Sequence, residues 1–232
     1  MQRGRLDKFI SKQLSISRRD VRLILAQQRV LVDGVVAIDI GQQIDKFSLI
    51  MLDNEILQQQ QASYLMLHKP IGVVSATKDD KHQTVLDLIK VPEKSTLHLV
   101  GRLDLNTSGL VLLTNDSRWS QRLTLPESKV EKIYHVTLDN PLTEAYIDAF
   151  ANGMYFAFEG INTKAAKLEI VSEFVAKVTL VEGRYHQIKR MFGRLNNKVI
   201  KLHRQQIGNL SLDVDLQAGQ SRALTLEEVI NI

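Results

Sequence analysis

The 232-residue chain is 44% apolar and 24% charged, a balance that fits a folded protein of one large or two smaller domains. It has no cysteine, which excludes disulfides, thiolate nucleophiles, Cys-ligated zinc and iron–sulfur clusters and suits a reducing, cytoplasmic setting. The net charge of +4 is unevenly spread. Residues 1–29 hold Arg3, Arg5, Lys8, Lys12, Arg18, Arg19, Arg22 and Arg29 against Asp7 and Asp20, and residues 182–204 hold Arg184, Lys189, Arg190, Arg194, Lys198, Lys201 and Arg204 against Glu182. Two basic clusters so far apart are the footprint expected of a partner with a phosphate backbone.

The start of the chain, MQRGRLDKFISKQL, lacks the apolar core of a signal peptide, and no apolar run of about 18 residues occurs anywhere, so an unexported protein without a membrane partner is expected. Leu6, Phe9, Ile10 and Leu14 fall at helical spacing and predict an amphipathic helix. Ser17 is a candidate N-cap for a second helix with Val21, Ile24 and Leu25 on one face and Arg18, Arg19 and Arg22 elsewhere. RVLVDGVVA then alternates as a strand and turns at Asp33-Gly34. RLDKFI at 5–10, SR at 17–18 and RVLVDG at 29–34 resemble the S4 RNA-binding domain over roughly residues 4–50. The resemblance implies a helix pair that presents basic side chains to structured RNA, with Arg5, Lys8, Arg18, Arg19 and Arg22 as candidates. Gln28 departs from that family, which usually has glycine ahead of the strand, where it eases the helix-to-strand turn.

Residues 53–63, with four consecutive glutamines, read as a polar linker. The division expected is a first domain over 1–57, a linker over 58–63 and a second domain over 64–232. Beyond it, YLMLH, LVLLT and YHVTL read as buried strands, and Thr143 to Asn152 as a short helix closed by Gly153. AAKLEIV and AKVTLVEG suggest a hairpin. Ile188, Met191, Phe192 and Leu195 mark an amphipathic helix over 185–195. Strands near 198–202 and 210–213 follow, then a terminal helix with a capping box at Thr225 and Glu228. Several strands with few helices favour α+β with a mixed, mainly antiparallel sheet. The six histidines show no i,i+4 pair and no HExxH, and carboxylate pairs such as Asp79–Asp80 are adjacent and diverge, so no metal site is expected.

Four stretches of the second domain carry chemistry: HKPIG (68–72), GRLDLNTSGL (101–110), EKIYHV (131–136) and EGRYHQIKRMF (182–192). On residue type alone Asp104 is a turn aspartate, Tyr134 a strand tyrosine and Lys189 a solvated helix lysine. In their order and spacing, however, the four stretches resemble the RsuA-type pseudouridine synthases, which isomerise uridine in RNA. That reaction breaks an N–C glycosidic bond, turns the base and forms a C–C bond. It needs a carboxylate and a water-excluding pocket, and the resemblance implies neither metal nor cofactor.

The resemblance implies that Asp104 is the catalytic carboxylate, acting either by covalent addition at C1′ or through a glycal. Burial disfavours a charge, so a neighbouring cation is expected, and the matching position is Lys189, where more distant branches carry arginine. Tyr134 matches the active-site tyrosine, whose ring can stack on the uracil, and Arg102 matches an arginine that contacts RNA. Arg184 and Arg190 are further RNA-binding candidates, and Lys69-Pro70-Ile71-Gly72 reads as scaffold for the active-site loops. The implied partner is ribosomal RNA, small-subunit RNA or its assembly particle foremost, with uridine 516 of 16S RNA as the target. Nothing in the sequence suggests an obligate oligomer, so a monomer is expected. Large-subunit RNA, or a non-catalytic RNA-binding or ribosome-assembly role, remains the alternative.

Overall fold

The structure, a computed structural model, describes residues 4–232. It divides into two units, the first ending at Ala62 and the second spanning Ser63–Ile232. The first contains β1 (Gly4–Arg5), α1 (Leu6–Leu14), α2 (Arg18–Ala26), β2 (Val30–Val32), β3 (Val35–Val36), β4 (Gln43–Ile44), β5 (Ile50–Leu52) and β6 (Glu55–Gln58). The apolar stripes of α1 and α2 meet, so Leu6, Ile10, Val21 and Leu25 are buried with Val30, Val32 and Ile50 in one small core. Ser17 caps α2, its side chain accepting from the Asp20 amide. The strands run in the order β3-β2-β5-β6, and β1 pairs with β4.

Two turns in this unit explain departures from the sequence reading. Gln28 adopts φ 59°, the left-handed region that glycine enters freely, so the turn forms with a side chain that is strained there. The polar stretch is not wholly a linker, because Asp53 and Asn54, at φ 48° and 68°, make a tight hairpin turn and send β6 back along β5. Composition hid a strand whose Ile56 pairs with Met51.

The second unit holds β7 (Tyr64–Lys69), β8 (His98–Val100), β9 (Ser108–Thr114), α3 (Ser117–Thr124), β10 (Lys132–Leu138), α4 (Ala145–Ala151), β11 (Tyr155–Phe156), β12 (Ile161–Asn162), β13 (Lys167–Ser172), β14 (Val175–Leu180), α5 (Gln187–Arg194), β15 (Val199–Ile207), β16 (Leu210–Ser211), β17 (Ser221–Ala223) and α6 (Leu226–Asn231). Its main sheet runs β13-β14-β10-β15-β9-β7-β17, with β16 beside β15 and β8 beside β9. All these pairs are antiparallel except β9 with β15. The unit is therefore α+β on a mixed, mainly antiparallel sheet.

Both faces of the sheet are covered. Phe150 of α4 and Met191 and Phe192 of α5 pack on one face with Leu67, Val111, Val136 and Val178. On the other, Trp119 and Leu123 of α3 pack with Met66, Leu110 and Leu112, and Trp119 Nε1 donates to the Val229 carbonyl of α6. This double coverage is why Leu110–Leu113 is a continuous apolar run, fully buried, rather than an alternating one. The helix α3 has too few apolar residues to show a period. It is fixed by Asp116, whose side chain accepts from the Arg118 and Trp119 amides.

Where β9 meets β15 the backbones nearly touch. Gly109 sits at φ 113°, opposite Arg204, and a Cβ there would lie 2.2 Å from the Arg204 carbonyl oxygen. Only glycine permits this approach, and the approach seats the end of the Asp104 loop on the sheet.

Candidate active site

Asp104 lies in the loop that joins β8 to β9, and that loop is tied down on every side. The Thr107 amide donates to the Asp104 carbonyl at 3.0 Å, closing a turn, and the Gly72 amide donates to the Leu105 carbonyl at 2.9 Å. Ser75 Oγ donates to the Leu103 carbonyl at 2.7 Å and accepts from the Leu103 amide. From below, Lys69 Nζ donates to the carbonyls of Pro70 and Thr107 at 2.9 and 2.7 Å. Arg204 Nε donates to the Leu110 carbonyl at 2.8 Å.

With its loop held, the Asp104 carboxylate is about 30% exposed and faces α5. The helix starts at His186, itself in the left-handed region at φ 48°. Its apolar stripe fixes its rotation by burying Ile188, Met191 and Phe192. That rotation delivers Lys189 Nζ to 3.2 Å from Asp104 Oδ2, and His186 Nε2 comes within 3.4 Å of the same oxygen. The His186 ring stacks on Tyr185 at 3.9 Å. Two residues at one end of α5, far from Asp104 in sequence, thus converge on one of its carboxylate oxygens.

A cavity of about 820 Å³ opens beside this carboxylate. Asp104, Arg102, Tyr134, Arg184, Ile188 and Arg204 are among its lining residues. Tyr134, 8% exposed, reaches it from β10. Arg102 is exposed at the rim. Lys189 lines a neighbouring depression of about 730 Å³ together with Asn106 and Asn196, so its ammonium stands between the two.

The remaining candidates divide into held and free. Arg184 is tied to the buried Glu182, Nε to Oε2 at 3.1 Å, and Glu182 also accepts from Gln187 at 2.7 Å. Arg190 forks onto Glu159 and lies over the Phe156 ring at 3.7 Å. In the first unit Arg5 and Arg18 both clamp Asp7, which is 1% exposed. Burial alone would raise the Asp7 carboxyl, but the hydrogen bonds from Arg18 and Arg5 outweigh it and hold the group below its usual range. Lys8, Arg19 and Arg22 are exposed. Arg3 lies outside the described residues.

Two cations of this site carried no sequence signal of their own. Lys69, in a stretch whose Pro and Gly mark only a turn, is fully buried. Burial pushes its ammonium down to about 8, against the pull of Asp104, and Arg204 and Lys189 push in the same direction as burial. Arg204, counted with the second basic cluster, is 3% exposed and belongs to the floor of the site rather than to the surface. Lys132 at the cavity wall is also lowered, by burial first and then by Arg204. Nothing in a linear pattern distinguishes these from solvated cations.

Comparison with known proteins places this geometry in context. Residues 63–193 match the RNA pseudouridylate synthase family. The ribosomal small subunit pseudouridine synthase A of Pseudomonas aeruginosa is 47% identical over 229 residues, covering 98% of this chain and 100% of that protein. The protein of the same name from Escherichia coli (strain K12) is 42% identical, covering 98% and 99%. A crystal structure of a pseudouridylate synthase superimposes with a TM-score of 0.72 at 40% identity, covering 98% of each chain. The chain therefore belongs to the RNA pseudouridylate synthase family.

Proposed function

We propose that the protein isomerises uridine to pseudouridine in 16S ribosomal RNA, with uridine 516 as its target and Asp104 as the catalytic carboxylate. The observation that carries this reading is the pairing of Asp104 with Lys189 beside a cavity walled by Tyr134. The choice of small-subunit RNA is supported by two relatives above 40% identity that carry that substrate in their names. The protein acts as a monomer in the cytoplasm and needs no cofactor.

In this reading the roles follow from position. The target uridine leaves its stack, at a cost of a few kcal/mol, and enters the cavity. There the Tyr134 ring stacks on the base, a contact worth about 1–3 kcal/mol. Asp104 attacks C1′ or takes the C2′ proton, and Lys189 faces its carboxylate from 3.2 Å. Arg102 holds the RNA beside the displaced nucleotide. The first unit is an S4-type RNA-binding domain over 1–57, joined through 58–63 to the catalytic domain over 64–232. Lys8, Arg19 and Arg22 give it its phosphate contacts. Arg5 and Arg18, held by Asp7, and Arg184 and Arg190, held by glutamates, offer the RNA pre-oriented guanidinium faces.

The test is to incubate the purified protein with small- and large-subunit RNA or their assembly particles and to map pseudouridine by carbodiimide-blocked primer extension. One new stop in 16S RNA at uridine 516, absent with Asp104→Asn at unchanged RNA affinity, is the expected result. A stop in large-subunit RNA alone would overturn the substrate, and no stop in either would overturn the enzymatic reading.

A further inference from the structure

We infer that Arg204 is the cation that holds the detached uracil as an anion while its glycosidic bond is open. The inference rests on the function proposed above and adds a residue to it.

Arg204 is placed for this. It sits on β15 directly across from Tyr134 on β10 and from Gly109 on β9, and it lines the same cavity as Asp104. Its Nε donates to the Leu110 carbonyl at 2.8 Å and its Nη1 to the Arg102 carbonyl at 3.5 Å. Nη2 is buried and has no hydrogen-bond partner among the described residues. Nor does any described carboxylate form an ion pair with it. Of the carboxylates lining the cavity, Glu182 is occupied by Arg184 and Gln187, and Asp104 faces Lys189.

A guanidinium buried without a counter-charge is costly, and this one also presses on two neighbouring ammonium groups, Lys69 and Lys132. Bracing two backbone carbonyls needs only neutral donors and does not account for the charge. Something negative has to arrive for it, and the reaction produces that charge.

When C1′–N1 breaks, both electrons of the bond stay on N1. Asp104 either forms a C1′–O bond or accepts the C2′ proton, and becomes neutral in both cases. One unit of negative charge therefore moves from Asp104 to the uracil, where it spreads over N1 and the carbonyl oxygens. Lys189 serves the charge at its origin and Arg204 at its destination, on the wall the stacked base faces. Bonding of C5 to C1′ returns the charge to Asp104, and the C5 proton is exchanged for one on N1. Removing a pre-positioned donor of this kind slows an enzyme by about 10²–10³-fold.

The experiment compares single-turnover glycosidic cleavage in two 16S RNA fragments, one with uridine and one with 5-fluorouridine at the target. Fluorine stabilises the uracil anion by itself and lessens the need for Arg204. Arg204→Gln is expected to cleave uridine RNA about 10²-fold more slowly than wild type but 5-fluorouridine RNA by less than about 10-fold. Arg204→Lys, which keeps the charge, is expected to stay within about 10-fold of wild type on both, with its larger defect on uridine. If melting shows that the Gln variant does not fold, the same uridine-to-fluorouridine comparison in the Lys variant decides. Equal slowing of both substrates, no slowing, or weaker RNA binding with the bound rate intact (a phosphate contact) would each overturn the inference. A wild type that modifies neither RNA would instead overturn the function on which it rests.

Discussion

Lys189 Nζ stands 3.2 Å from Asp104 Oδ2, a single point contact between a lysine on a helix and a carboxylate on a loop 85 residues earlier. Arginine would reach the same oxygen with a planar fork and could bind both carboxylate oxygens; lysine offers one charge and leaves Oδ1 free.

Lys189→Met is accordingly expected to lower kcat about 10²–10³-fold while changing RNA affinity less than about 10-fold. Lys189→Arg is expected to recover part of that loss, its longer fork displacing His186 from its 3.4 Å approach to the same oxygen. Single-turnover rates and filter binding on one 16S fragment separate the two effects. A loss confined to affinity would make Lys189 a backbone-binding residue only.

Gly109→Ala should be among the most damaging conservative changes in the second unit. The new methyl would lie 2.2 Å from the Arg204 carbonyl oxygen and 2.6 Å from its nitrogen, at a backbone φ of 113°. Backbone cannot step aside as a flexible side chain can. The expected cost is about 3 kcal/mol, seen as a drop in Tm of roughly 2–4 °C per kcal/mol, with activity lost more steeply than stability. Gly101→Ala, at φ 79° but with open space around its Cβ, should cost less and serves as the comparison.

Gln28→Gly should stabilise the first unit. The left-handed φ of 59° costs a non-glycine residue about 1–2 kcal/mol, and glycine's greater freedom when unfolded cancels about 0.5–1 kcal/mol of the relief. Amide exchange in α2 is then expected to slow about 2–5-fold. Unchanged or faster exchange would show that the Gln28 side chain earns its place by contacts of its own.

The acid limb of stability should depend on Glu228. Hydrogen bonds from Arg222, outweighing burial, together with those from Thr225 hold its carboxyl down to about 2. Because the folded value lies below the unfolded one of about 4.3, its contribution is complete above that pH and fades as pH falls towards 2. The Tm difference between wild type and Glu228→Gln should be constant near neutrality and close by pH 2. A difference that persists at pH 2 would assign the effect to packing.

Much of this was legible in the sequence because it was periodic or local. The stripes of α1 and α5, the cap at Ser17, the Asp33-Gly34 turn and the Thr225–Glu228 capping box depend on neighbours within a few residues, and each is found where its pattern lies. Asp104, Tyr134 and Lys189 stood out only through the resemblance of whole motifs, since each alone reads as an ordinary turn, strand or helix residue. Lys69 and Arg204 were not legible as buried charges, because burial is decided by strands that pair from across the chain. The helix α3 and strand β17 escaped for a related reason: SRWSQRLT and SRA carry little apolar signal and are ordered by partners elsewhere.

The contact that anchors the end of the Asp104 loop, from Arg204 to the Leu110 carbonyl, spans 94 residues. The chain is made from its N-terminus, so the carboxylate and its turn exist long before the strand that seats them. Neither the parallel pairing of β9 with β15 nor the floor of the cavity can form until residue 204 has left the ribosome, and contacts of such span are also slow to close. Asp104 is thus set in its final position among the last events of folding, and a chain cut short before β15 carries the GRLD motif without the strand that seats the end of its loop.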